Sequence, residues 1–215
     1  MGEFEHVPAW KLRARAKRAA QATLIPSEWC LKDVPDFTNA RDYIRSAGLL
    51  TSSELEITEI TDARVLQQKL QSRELSAHAV AYAYCKRAAI AQQLTGCLTE
   101  ILFERALARA KELDEYLENE GKPVGPLHGI PISFKDNYDV EGVDSTIGWV
   151  GLIGKPAAMN SLGVKMVLRL GAVIYVKTNI PQSLMVSCTC SPQRWMRSAD
   201  VKRCPIPIIT FLSKA

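Results

Sequence analysis

The sequence holds three histidines in 215 residues, only 7% aromatic residues, and no apolar run near the ~20 residues needed to span a bilayer. The two best candidates, Ala172–Val176 and Cys204–Leu212, are short, and Pro205 and Pro207 interrupt the second. No membrane span is therefore expected. Met1 is not followed by a charged-then-apolar leader, and His6 stands where a myristoylation motif after Gly2 needs Ser or Thr. The expectation is a cytoplasmic protein. Charge of one sign is also lacking: 27 Lys+Arg face 23 Asp+Glu, and a net +4 is too little for a nucleic-acid-binding surface. With 47% hydrophobic residues, 12 Gly and 11 Pro, disorder, collagen-like repeats and coiled coil are excluded for the chain as a whole. Internal repeats and low-complexity tracts are absent, and the length suits one domain or one and a half.

Six cysteines in a chain with no export signal do not make a disulfide framework. Cys30, Cys85 and Cys97 stand singly among apolar neighbours and read as small buried hydrophobes. Cys188, Cys190 and Cys204 number three where zinc takes four ligands, with no histidine nearby and two of them one residue apart. No metal is expected.

The opening Trp10–Gln21 is basic and rich in helix formers. It reads either as a solvated surface helix or, less well because of Glu3 and Glu5, as a presequence. Pro26 and Pro35 mark an irregular arm to about residue 50. Thr51-x-x-Glu54 has the capping-box form, and Thr61-Asp62 precedes a short amphipathic helix with Val65, Leu66 and Leu70. Ser76 is placed to cap a second helix carrying Val80, Tyr84, Ala88 and Ala91, and a third is expected from Leu98 to Leu117, closed by Gly121. Its acidic end, Asp114–Glu120, reads as solvent-facing. The period then changes. Ile132-Ser133-Phe134 reads as a short strand, Ser161 caps a helix with Leu162, Met166, Leu168 and Leu170, and Gly171 ends it before a buried strand Ala172–Val176. Strand, helix, strand in that order predicts an α/β sheet flanked by helices.

Lys135 is the foremost candidate for chemistry. It ends an apolar strand, where open α/β sheets place ligands. An ammonium held among apolar neighbours loses its charge more readily, and a neutral amine can take a proton from a hydroxyl nucleophile. The competing reading is a surface lysine paired with Asp136 or Asp139. Lys177 ends the second strand as Lys135 ends the first, and belongs either to the same cleft or to a plain strand terminus. His128 reads as a turn histidine satisfying a backbone carbonyl rather than a general base, and His6 and His78 have no partner in sight. Ser133, Lys135 and Asp136 do not make a triad by themselves, because strand neighbours point to opposite faces.

Two segments carry a resemblance to a known family. They are Gly125-Pro-Leu-His-Gly-Ile-Pro-Ile-Ser-Phe-Lys-Asp-Asn137 and Gly171-Ala-Val-Ile-Tyr-Val-Lys-Thr-Asn-Ile-Pro-Gln182. Supporting pieces are Leu94–Glu100, Ala110–Asp114, Gly48–Thr51 and Ile25–Trp29. Together they resemble the amidase signature family, in its fungal acetamidase-like branch, over residues from about 10 to 186. The resemblance implies a mixed sheet wrapped by helices, no metal or cofactor, and hydrolysis of a small carboxylic amide to acid and ammonia or amine through an acyl-enzyme. It assigns Lys135 the part of base in a Ser-cisSer-Lys triad. It also divides the chain into a helical N-terminal arm (1–50), the N-terminal part of the amidase domain (51–186) and a divergent Cys/Pro-rich tail (187–215).

The departure from the pattern is equally specific. The family places a Gly-Gly-Ser-Ser-Gly-Gly loop after the Lys-Thr-Asn segment; one serine of that loop is the bridge, and the nucleophilic serine comes further on with the oxyanion-hole amides nearby. These 215 residues contain no Gly-Gly-Ser-Ser and no glycine after Gly171. The tail holds three of the six cysteines and three of the eleven prolines, and the abrupt change near 187 reads as a shifted frame or altered splice. A base without a hydroxyl partner performs no acyl transfer. The expectation is thus an amidase by lineage that is inactive alone. The alternative is a non-catalytic interaction protein, or a half-enzyme needing a partner chain.

Overall fold

The computed structural model of the chain describes residues 8–34, 36–37, 39–181 and 184. His6, Cys188, Cys190, Cys204 and the 187–215 tail lie outside them. The basic N-terminal segment forms α1 (Ala9–Ala22), close to its expected bounds. The arm that follows is more regular than its prolines suggest. A 3₁₀ turn (Ser27–Trp29) leads to α2 (Ala40–Ser46), whose N-cap Asn39 accepts the Arg41 amide. Trp29 fixes this arm to the body, edge-on to Tyr82 (5.2 Å between ring centroids) and Phe103 (5.7 Å).

The next helices start where their caps predict. Thr51 and Glu54 form the reciprocal capping box of α3 (Ser52–Glu59), and Asp62 caps α4 (Ala63–Gln71). Ser76 caps α5 (Ala77–Thr95) through the Ala79 amide. Asp114 completes that cap, accepting the amides of Ala77 (2.7 Å) and His78 (2.9 Å), so it does not simply face solvent as its acidic surroundings suggested. α5 is central because it carries small side chains: Ala81, Ala83, Cys85 and Ala89 are fully buried, and α6 (Phe103–Glu120) meets it with Ala106 and Ala110. Cys97 is buried as well, but Cys30 is exposed, because it follows the 3₁₀ turn at the edge of the arm.

Three strands, β1 (Leu98–Ile101), β2 (Pro131–Lys135) and β3 (Val173–Thr178), form a mixed sheet in the order β1-β3-β2. The helix expected from Leu98 begins only at Phe103. Gly96, with φ +63°, ends α5, and after Cys97 the chain pairs antiparallel with β3 over Leu98–Ile101. A partner some 75 residues away overrides the helical period that Leu98, Ile101 and Leu102 suggest. β2 and β3 run parallel, linked through α7 (Leu162–Arg169), with Lys135 opposite Thr178. α7 packs on the sheet through Val164, Val167 and Leu168 beside Phe134, Val140 and Ile174. Leu162 and Met166, named with Leu168 among the apolar residues of this helix, face outward at 75% and 55% exposure. Ser161 occupies the N-cap position, but its hydroxyl does not bond the helix.

Two features generate measurable expectations. Gly171 has φ +93°, and a Cβ there would lie 2.9 Å from the His128 Cα. Gly171→Ala is expected to destabilise the protein by about 2–3 kcal/mol, read as a lower denaturant midpoint. In the helical layer, Glu59 is bound by Arg45, by Arg87 at 2.6 Å and by Arg41 at 3.6 Å. The hydrogen bond from Arg45, aided by Arg87, lowers its pKa from 4.5 to about 2 against the opposing effect of burial. The unfolded chain therefore binds this proton first as pH falls, so the contribution of Glu59 is full above about pH 4.5 and vanishes as pH drops through 2. Arg87→Met should flatten the acid limb of a urea-midpoint-against-pH curve over that window.

Candidate active site at the strand ends

The parallel pairing brings the C-terminal ends of β2 and β3 to one edge of the sheet, as the two lysine-terminated strands predicted. The two lysines nevertheless meet opposite surroundings. Lys135 is exposed, and among the described residues it makes no ion pair. Asp136, its expected partner in the surface reading, is fully buried on the other face, as alternation along a strand requires. The enclosed surroundings expected at Lys135 are found at Lys177, whose side chain is 0% exposed.

Lys177 is held by a built set of partners. Its Nζ donates to the Asp144 carbonyl (2.7 Å) and to Ser145 Oγ (2.8 Å), and lies 3.5 Å from Asp136 Oδ1. Asp136 accepts in turn from Thr99 Oγ1 (2.9 Å), Thr146 Oγ1 (2.7 Å) and the Ile147 amide (2.8 Å). Burial pushes the Lys177 ammonium below its ordinary pKa, opposed chiefly by the Asp136 charge. A second, shallower group adjoins it. Lys17 from α1 bridges Glu100 (2.7 Å) and Asp144 (3.0 Å), while Asp144 also accepts the Gly154 amide at 2.9 Å. Burial raises the Glu100 pKa despite Lys17. At Asp144 the upward push of burial is outweighed by the Gly154 amide and Lys17, and its pKa falls.

These partners were missed in the sequence for a traceable reason. The helical spacing from Leu98 to Leu117 takes in Thr99 and Glu100, so nothing in the sequence sets them beside a strand end. The turn 144–147 carries no period at all. The one legible signal was parity: Asp136 follows Lys135 directly and so must face away from it. His128 is buried in the Gly125–Pro131 turn, where its Nδ1 accepts the Val124 amide (3.1 Å) rather than donating to a carbonyl. Burial lowers its pKa, consistent with a neutral structural ring. His78 lies beside Tyr82 on α5, with ring centroids 6.5 Å apart. Ser133 is two residues before Lys135 on the same strand, but no hydrogen bond joins them among the described residues.

The chain's sequence and its fold both match known proteins. The family model named Amidase matches residues 79–196, and the chain belongs to that family. An amidase of Gibberella moniliformis is 49% identical over 185 residues, covering 82% of this chain and 35% of its own length. The acetamidase of Emericella nidulans is 44% identical over 178 residues, covering 83% and 32%. Among solved structures, a fatty acid amide hydrolase superposes with a TM-score of 0.76 at 34% identity, covering 82% of this chain and 32% of that one. The chain thus spans about a third of the length of the curated relatives it matches. Among the described residues, no helix is long and apolar enough to cross a membrane.

The buried pair gives a direct expectation. Lys177→Met leaves Asp136 enclosed without its cation, and should cost about 3–5 kcal/mol, read from the unfolding midpoint. Lys177→Arg, which cannot fit the same compact set of partners, should recover only part of that loss.

Proposed function

We propose that this chain carries the base of an amide-hydrolysing centre, that Lys135 is that base, and that the substrate class is small carboxylic amides. The observation that carries the reading is the position of Lys135. It ends β2 at the open edge shared with β3, in the segment Gly129–Asn137 through which the chain resembles its family. Family membership and relatives named amidase and acetamidase support the reaction class.

In such a centre the lysine amine accepts a proton relayed from the nucleophilic serine hydroxyl, whose oxygen attacks the amide carbon. The leaving nitrogen takes a proton and departs as ammonia or amine, and water then releases the acid from the acyl-enzyme. The bridging hydroxyl comes from a Gly/Ser-rich loop, and the nucleophile and oxyanion donors from the segment beyond it; these 215 residues contain neither. Lys135 therefore has no proton to take, and the chain alone does not turn over amides. The test is an ammonia-release assay on the purified 215-residue chain with acetamide, beside the Lys135→Ala variant. Equal, blank-level rates are expected. Turnover lost in Lys135→Ala would overturn the inactivity and retain the base, whereas turnover unaffected by Lys135→Ala would overturn the role of Lys135.

A further inference from the structure

A cavity of about 320 Å³ lies between the helical layer and the sheet, clear of the Lys177 group. Its walls are mostly apolar: Leu66 of α4, Ala88 and Ala91 of α5, Leu98 of β1, Ile130, and Val176 of β3, with Ser133 of β2 and Thr178 of β3 also facing it. Leu66, Leu98, Ile130 and Val176 are themselves buried in the core, so the walls are held by packing on their far side. One end is charged. Arg41 and Arg87 line it together with Glu59, and that single carboxylate is also bound by Arg45. The lining charges sum to one positive charge in excess. Arg45 also meets Asp42, at 3.9 Å with its side chain 68% exposed. Arg87 donates to Thr58 Oγ1 (2.8 Å) and pairs with Glu59 at 2.6 Å. Among the described residues the Arg41 guanidinium reaches Glu59 only at 3.6 Å, which leaves it the most donors to spare.

An apolar chamber with one surplus cation at its end selects an amphipathic monoanion. A carboxylate suits the forked donors of arginine. Neutral ligands forgo that contact, and amines are repelled. At roughly 30 Å³ per water-sized atom the chamber holds about ten heavy atoms. We propose that this cavity binds a monocarboxylic acid with an apolar body of about eight carbons, its carboxylate at Arg41 and its chain along Leu66, Ala91 and Val176. The site uses neither Lys135 nor any catalytic step, so it stands or falls separately from the amide-hydrolase reading.

Isothermal titration of the full chain with sodium octanoate tests it, with 1-octanol and octylamine as the neutral and cationic counterparts. One saturable octanoate site is expected, at least about tenfold tighter than either counterpart. Arg41→Met, which leaves Glu59 its other two guanidiniums, should weaken octanoate about tenfold and leave 1-octanol unchanged. Ala91→Leu, which fills the chamber, should abolish octanoate binding. If that variant melts well below the parent, Ala88→Leu provides the second block. Equal affinity for octanoate and 1-octanol, binding that survives both filling variants, or no saturable heat with the parent chain would each overturn the proposal.

Discussion

An ammonium and a carboxylate, both shut off from water, meet at the strand ends through Lys177 and Asp136. Each ion alone would cost several kcal/mol to bury, and their mutual attraction offsets this only when the remaining donors and acceptors are satisfied. Here they are: Lys177 has a carbonyl and a hydroxyl besides Asp136, and Asp136 has two hydroxyls and an amide. The partners come from β1, the end of β2, the 144–147 turn and β3, so one charge pair ties together four segments distant in sequence. Ile147 shows the force of this arrangement. A β-branched residue at φ +52° is strained, and its amide is held by the Asp136 carboxylate. Because Asp136 must point inward, Lys135 must point out.

Much of the fold was legible wherever the signal was local. The Thr51–Glu54 box, the Ser76 cap, the Gly121 terminator and the strand at Ile132–Phe134 depend on neighbours a few residues apart, and each lies where the sequence placed it. What was illegible depended on distant partners. β1 has four residues, too few for a period, and is a strand only because β3 lies beside it. On α7 the apolar residues surround the helix, so spacing could not decide whether Val164 or Leu162 would be buried; the sheet decides for Val164. At the site, motif and strand position singled out Lys135, but the desolvated amine belongs to Lys177. Sequence offered both as strand-terminal lysines, and only the two faces of the sheet distinguish them.

The division of labour between these lysines is chemically sensible. A buried, fully partnered ammonium cannot exchange protons with a substrate, because every donor is committed to keeping a turn in place. An exposed lysine one residue from the buried Asp136 has a fixed backbone and a free amine. The rigid member holds the turn and the accessible member is left open to the strand-end edge, so scaffold stability and exposure need not share a side chain. The Glu59 cluster across the molecule shows the same economy of acids: one carboxylate organises three guanidiniums and so joins α2, α3 and α5.

The strand order carries a consequence for how the molecule is made. β3 is central in the sheet, yet it is the last of the three strands in the chain. A ribosome therefore delivers α1 to α6, with β1 and β2, before the element on which both strands pair has been synthesised. Throughout that interval Leu98, Ile101 and Phe134 lack their sheet partner, and the Asp136 carboxylate has no cation to meet. Nascent chains of this protein must dwell as an unzipped helical assembly, the state in which a chaperone has most to grip and a protease most to cut.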